Sequence, residues 1–242
     1  MKQGIYQCPV HGDNETTPRC PDCRPYNTID PNTLWFNTPD TFSLCRGGNN
    51  GPKHESQLYA IKKYVKDFET FLDYGCGSGT TLEALEKANL IGIAEVYKGV
   101  DIIPKNIEWC KEKWPLHEWE VNPSLHKIDQ PDKSFDVVYS RHVVDHMESF
   151  EKAMDEHCRV AKQLVIVTLW VPLSTSDEHQ IKNIDYRPSG GKLYPNEYTN
   201  SYSRMKVMDY LYSKKDWVVL DIAEDVGVEV SGHDTVIVLK KI

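Results

Sequence analysis

Two stretches of this 242-residue chain combine residue types at spacings that do chemistry. The first is Phe71-Leu72-Asp73-Tyr74-Gly75-Cys76-Gly77-Ser78-Gly79. A short apolar run enters it and a helical pattern leaves it, so it reads as a strand-to-helix turn. Alternate glycines permit positive φ and let a ligand approach the backbone closely. The free N–H groups of the following helix suit a carboxylate or phosphate. Asp101 closes the next strand, 22 residues past Gly79, in the place where an acid accepts hydrogen bonds from ribose hydroxyls. The second stretch is Cys8-Pro9-Val10-His11 and, after an eight-residue spacer, Cys20-Pro21-Asp22-Cys23. Two knuckles of thiolates and one imidazole suit tetrahedral zinc. Four protein ligands (Cys8, His11, Cys20 and Cys23) close the shell, which makes the expected zinc structural, one per chain. A redox pair would account for Cys20 and Cys23 but not for Cys8 and His11.

These stretches need elements to hold them. Residues 1–52 are rich in Pro, Asn, Thr, Asp and Gly and show no helical period, so they read as a zinc-ribbon-like module and linker. The module is too poor in apolar residues to fold unaided, and metal binding would supply its stability. From Lys53 to the end the pattern is that of one α/β domain. Leu58, Ile61, Tyr64, Val65 and Phe68 predict an amphipathic helix over 54–68. Strands are expected at Phe71–Asp73, up to Ile102, near Trp119–Val121, at Ser134–Ser140, Gln163–Leu169, Trp217–Ile222 and Thr235–Leu239. Between them lie helices from Thr80 to Asn89, with Thr80 or Thr81 as cap, from Pro104 to Trp114, Ser149 to Ala161 and Met205 to Tyr212. The alternation implies a parallel sheet with helices on both faces. Val171 to Ser203 reads as long and irregular, with His179, Tyr186, Arg187, Tyr194, Tyr198 and Tyr202 available to line a site or cover the core.

Leu72-Asp73-Tyr74-Gly75-Cys76-Gly77-Ser78-Gly79 resembles the first motif of class I S-adenosylmethionine-dependent methyltransferases. Its D-x-G-x-G-x-G spacing differs from the dinucleotide pattern. Pro131 to Val138, Val143-Val144-Asp145-His146-Met147 and Glu156 to Lys162 resemble later segments of the type 11 branch. The resemblance implies a Rossmann-like α/β fold with a seven-stranded methyltransferase sheet, and S-adenosylmethionine as cofactor. It implies that Asp73, Gly75, Cys76, Gly77 and Gly79 hold the methionine part and that Asp101 takes both ribose hydroxyls. It further implies that Ile102 and Leu125 flank adenine and that Ser140 lines the cofactor site. Ser124-Leu125 departs from the usual Asp-Ala, and Gln163 stands where the family has a glycine pair.

Methyl transfer from a sulfonium to oxygen or nitrogen depends mostly on in-line positioning, with a base where the acceptor is protonated. Ser140-Arg141-His142 leaves the fourth strand, and His142 is the expected catalytic base because imidazole titrates near neutrality. The expected acceptor is a small molecule, a sugar or nucleotide among the options. Zinc-bearing N-termini on this fold also resemble ribosomal RNA guanine methyltransferases, which makes a zinc-assisted RNA methyltransferase the alternative. The net charge of −8 speaks against broad polyanion binding. A non-catalytic binding module on the same fold is the third reading. No stretch has the apolar length of a membrane span, and Met1 to Cys8 lacks a signal-peptide core, so the expected location is cytoplasmic. Seven cysteines, an odd number, in a reducing compartment speak against a disulfide framework.

Overall fold

The computed structural model of the chain describes residues 54–66, 68–90, 92, 94–122, 124, 127–147, 149–170, 172–176, 178–182, 197–226 and 234–242. The expected zinc module, with Cys8, His11, Cys20 and Cys23, lies outside the described residues, as does Leu125.

Helix α1 (His54–Tyr64) leads into β1 (Phe68–Tyr74). The helix ends earlier than its apolar spacing predicts. Sheet pairing takes Phe68 to Thr70 instead, with Phe68 opposite Ala94 and Thr70 opposite Val96; aromatic and β-branched residues suit that pleated position. Then come α2 (Thr80–Lys87), β2 (Ala94–Asp101), α3 (Pro104–Lys113), β3 (Glu118–Val121) and β4 (Phe135–Arg141). A 3-10 turn at Val144–His146 precedes α4 (Phe150–Val160), β5 (Ala161–Leu169), β6 (Glu178–Lys182) and β7 (Glu197–Ser201). The described chain closes with α5 (Arg204–Ser213), β8 (Trp217–Val226) and β9 (Asp234–Lys241).

Seven strands form one sheet in the order β3-β2-β1-β4-β5-β9-β8. The first five are parallel, and β9 runs antiparallel to both β5 and β8. A doubly wound dinucleotide sheet continues in parallel to a sixth strand. Here β9 returns as a hairpin partner of β8 and slots between it and β5. Strand order reverses between β1 and β4, which opens a crevice at their carboxyl ends.

Side-chain alternation divides the core into two layers. Leu72, Tyr74 and Val138 pack with Phe150 and Met154 of α4 and Val207 and Leu211 of α5. Phe71, Val137 and Tyr139 pack on the other face against Leu58 and Ile61 of α1, Leu82 and Leu85 of α2, and Ile107 of α3. Helices therefore cover both faces, as the alternation predicts. No described helix is long and apolar enough to cross a membrane.

The stretch expected to be irregular contains an antiparallel hairpin, β6 with β7, Glu178 opposite Ser201 and Lys182 opposite Glu197. Its strands carry little apolar alternation, which hides them from a periodicity reading. At its base the Asn200 amide donates to the Met147 carbonyl. The Tyr202 hydroxyl lies 2.7 and 2.9 Å from the carbonyl oxygens of Val144 and Met147. Tyr202 is thus a core residue that ties the hairpin to the turn after β4, not a stacking surface.

Candidate active site

The glycine turn is built as its composition requires. Gly75, Gly77 and Gly79 have φ of 73°, 54° and 77°, a left-handed region that side-chain-bearing residues rarely adopt. The N–H groups of Gly75 and Cys76 both donate to the Val100 carbonyl, at 2.8 and 3.0 Å, which hangs the turn on the end of β2. A Cβ on Gly75 would collide with Val143, and one on Gly79 with the Trp114 ring. Gly79 is the N-cap of α2 and no side chain caps that helix. The expected threonine cap is absent: Thr80 begins the helix, and Thr81 is turned to hydrogen-bond Asp73. The first N–H groups of α2 are thereby left for something else. The Ser78 hydroxyl, in the same turn, is buried and makes no hydrogen bond.

Two carboxylates flank this turn. Asp101 is almost fully buried, and its oxygens are largely engaged. Oδ2 accepts from the Gly77 N–H at 2.8 Å; Oδ1 accepts from the Ile103 N–H at 2.8 Å and the Asn106 amide at 3.3 Å. Each carboxylate oxygen takes two hydrogen bonds, so one lone pair remains, on Oδ2. Burial pushes the Asp101 carboxyl above its usual range, against these bonds. Asp73 lies beneath the turn and accepts from the Tyr97 hydroxyl at 2.5 Å. Burial pushes it up to about 7, opposed by the Tyr97 and Thr81 hydrogen bonds.

A second group of charges stands where β4 ends. The His142 Nε2 lies 3.1 and 3.2 Å from the two oxygens of Asp234, at the start of β9. A carboxylate can only accept, so Nε2 carries the proton and Nδ1 holds the free lone pair. Backbone geometry fixes the ring: His142 has φ of 56°, and its N–H donates to the Thr168 carbonyl at 2.8 Å. Burial and the neighbouring Arg141 push the imidazole down to about 4, against the pull of Asp234. Arg141 reaches Asp234 at 3.6 Å.

Residues 72–167 match the family described as "Methyltransferase domain". An uncharacterized methyltransferase of Schizosaccharomyces pombe is 30% identical over 107 residues, which take in 41% of this chain and 38% of that protein. The chain thus spans well under half the length of the curated relative it matches. Among solved structures, a chain from the complex of the Haloferax volcanii Trm112 methyltransferase activator with a protein described as a methyltransferase has a TM-score of 0.63. It is 14% identical, and the match covers 88% of this chain and 98% of that one. The magnesium protoporphyrin IX methyltransferase of Synechocystis PCC 6803, with bound S-adenosylmethionine, has a TM-score of 0.60 at 11% identity, covering 89% and 99%.

Residues 72–167 are thus similar to a methyltransferase domain. The fold of the chain is that of S-adenosylmethionine-dependent methyltransferases.

The expected site residues divide into those at the turn and those built into the core. Gly75, Cys76, Gly77, Gly79 and Asp101 meet in one turn at the head of the crevice. The Cys76 side chain points inward, buried beside Cys110, with both sulfurs 3.6 Å from the Gly77 carbonyl oxygen. Ile102 is built into the core with Tyr74 and Val100, and its half-buried neighbour Ile103 packs against that layer. The Ser140 side chain is turned into the core, 2.9 Å from the His157 Nε2. His157 Nδ1 donates to the Ala153 carbonyl at 2.6 Å, so Nε2 accepts from the Ser140 hydroxyl. Asp145 accepts the Trp170 N–H at 3.0 Å, joining the 3-10 turn to the end of β5.

Sequence reasoning missed Asp234 and Asn122. Asp234 is 92 residues from His142, and nothing local marks it as a partner. Asn122, buried at the end of β3, organises the loop beside Asp101. Its amide donates to the carbonyls of Ser124 and Lys127, and its oxygen accepts the Asp129 N–H at 2.8 Å. An asparagine directly after a short strand, ahead of Pro123, was the available signal.

Proposed function

We propose that the methyltransferase domain moves the methyl group of S-adenosylmethionine to an oxygen or nitrogen of a small molecule. The observation that carries this is the glycine turn, with Asp101 bonded into it and α2 left uncapped behind it. The residues present fit the cofactor. The uncapped N–H groups of α2 and the unpartnered Ser78 hydroxyl are donors suited to the methionine carboxylate. The remaining lone pair on Asp101 Oδ2 is suited to one ribose hydroxyl, and Ile103, more exposed than Ile102, offers apolar surface for adenine. When bound, the sulfonium supplies an activated methyl group and a neutral leaving group.

The chain's own residues have two tasks at the acceptor. One is to hold it in line with the methyl group. The other is to take its proton. His142 is the base in this reading, with Nδ1 as the accepting atom because Asp234 holds the proton on Nε2. Asp234 also stabilises the imidazolium that forms. Support for this assignment is the His142–Asp234 pair itself, at the carboxyl ends of the strands beside the switch point.

The four N-terminal ligands Cys8, His11, Cys20 and Cys23 form part of the same proposal, as a structural zinc site in the module at residues 1–52. Among the described residues no group of three or more His, Cys, Asp or Glu side chains could hold a metal.

Calorimetry with S-adenosylmethionine and S-adenosylhomocysteine tests the central claim, and absence of binding to either would overturn it. Asp101→Ala should weaken binding by about 10-fold or more, since it removes a charge-assisted hydrogen bond and leaves the Gly77 N–H unpaired. An unchanged affinity would remove Asp101 from the site. Elemental analysis should find one zinc per chain, and a folded, zinc-free preparation would refute that part.

A further inference from the structure

We propose that the methyl acceptor carries a carboxylate, and that the Arg141 guanidinium is its anchor. This names the substrate class of the site above and rests on the methyltransferase reading.

Strand register brings the relevant groups together. Arg141 is the last residue of β4 and stands opposite Thr168 of β5, which stands opposite Val236 of β9. Alternation puts Tyr139 on the face of Arg141, and Asp234 on the face of Val236. Tyr139, Arg141, Thr168 and Asp234 therefore share one face of the sheet, at the carboxyl ends of its central strands.

The hydroxyls of Tyr139 and Thr168 face each other there, whereas the Nε of Arg141 has no hydrogen bond. All three atoms are closed off from solvent. Buried polar groups are nearly always paired, so a guanidinium left without a hydrogen bond beside two hydroxyls points to an acceptor-rich occupant. Arg141 contributes most, because a guanidinium offers five N–H groups in a fixed plane. Among the described residues its one ion pair is with Asp234, at 3.6 Å, too long for a hydrogen bond. Both Asp234 oxygens are closer to His142 than to Arg141. The guanidinium is thus charge-compensated yet not hydrogen-bonded, and it keeps partial exposure at the rim.

A planar carboxylate matches that fork through two parallel N–H bonds. A phosphate would bring a second negative charge next to Asp234, which a monoanion avoids. Anchoring there sets the acceptor's reacting atom near His142, the next residue in the chain.

The cofactor also carries a carboxylate, so the source must be separated. Arg141 follows the β4 residue paired with Tyr74, near enough to act on the Asp73 carboxyl, but it pairs with β5 and reaches Asp234 of β9, on the side of β1 away from β2. The glycine turn is bonded to β2, and the uncapped end of α2 provides separate donors for the methionine carboxylate. Two carboxylates then have two places.

Arginine Nε–Hε resonances of the full chain, in low-chloride buffer with saturating S-adenosylhomocysteine, provide the test. The Arg141 signal is assigned by its loss in Arg141→Lys or, should that variant not fold, in Arg141→Gln. Acetate should shift it saturably, and acetamide at the same concentrations should leave it in place. Affinity for S-adenosylhomocysteine in the folded variant should stay within about threefold of the parent, well under the tenfold that 1.4 kcal/mol would produce. A signal that moves fully with S-adenosylhomocysteine alone and ignores acetate makes the cofactor's carboxylate the occupant and overturns the proposal. A signal that moves with neither leaves Arg141 as a partner of Asp234 only, and overturns it as well. Failure of the parent protein to bind S-adenosylhomocysteine by calorimetry is a separate result, and it strikes the methyltransferase reading instead.

Discussion

Three alanine substitutions separate the two reasons for glycine in this fold. At Gly79 an alanine would meet both a left-handed backbone, φ 77°, and the Trp114 ring. At Gly99 it would meet the Trp119 ring and the Cys76 sulfur, with no backbone conflict. At Gly92 it would meet nothing within 4 Å. The left-handed conformation costs a residue with Cβ about 1–2 kcal/mol. Forcing a methyl group into packed surroundings costs about 1–3 kcal/mol. Trp114 cannot easily yield: it is buried, its Nε1 donates to Glu86 at 2.8 Å, and its ring lies against Trp119. Gly79→Ala should therefore cost about 2–5 kcal/mol, Gly99→Ala about 1–3 and Gly92→Ala under about 0.5. For a domain of this size the first corresponds to a fall in Tm of about 4–20 °C. Urea unfolding followed by tryptophan fluorescence measures all three. If Gly79→Ala costs no more than Gly99→Ala, the left-handed conformation is not enforced at the turn. If Gly99→Ala behaves like Gly92→Ala, the tryptophans move aside and the packing argument fails.

Other consequences can be checked without knowing the acceptor. The His142 pKa is held down by burial and Arg141 and held up by Asp234, so Asp234→Asn should lower it and Arg141→Met should raise it. Imidazole nitrogen NMR reads both, and a value unmoved by Asp234→Asn would separate the pair. Burial holds the His157 pKa near 4 in the folded state, against 6.5 for a free imidazole, so its stabilising effect is present above pH 6.5 and lost as the pH falls toward 4. The stability difference between the parent and His157→Gln should accordingly shrink by about 3 kcal/mol over that window. A constant difference would mean that His157 is not neutral in the fold. Asn122→Ala would leave the Asp129 N–H without its acceptor and loosen the loop, costing about 1–3 kcal/mol; equal urea midpoints would show that the loop is held otherwise.

The sheet and its crevice were largely legible in the chain because local chemistry carries them. Apolar runs such as Phe135 to Tyr139 mark strands buried on both faces, and Pro104 and Ser149 mark helix starts that the structure keeps. The Ser149 hydroxyl accepts the Lys152 N–H, a cap that a local reading can see. The β6–β7 hairpin escaped because polar strands lack a period, and the Thr80 cap was misread because Gly79 occupies the capping position itself.

Sequence alone determined the glycine turn, the acid that follows the second strand, and hence the kind of ligand this crevice suits. Those features lie within a few residues of one another or at a spacing the fold imposes. Tertiary structure decided what the side chains face. It turned Ser140 inward onto His157, engaged three of the four lone pairs of Asp101, and brought Asp234 to His142 and Arg141. Those outcomes depend on strand order and register. The antiparallel insertion of β9 beside β5 is a long-range pairing, and no local pattern at Asp234 encodes which strand end it will meet.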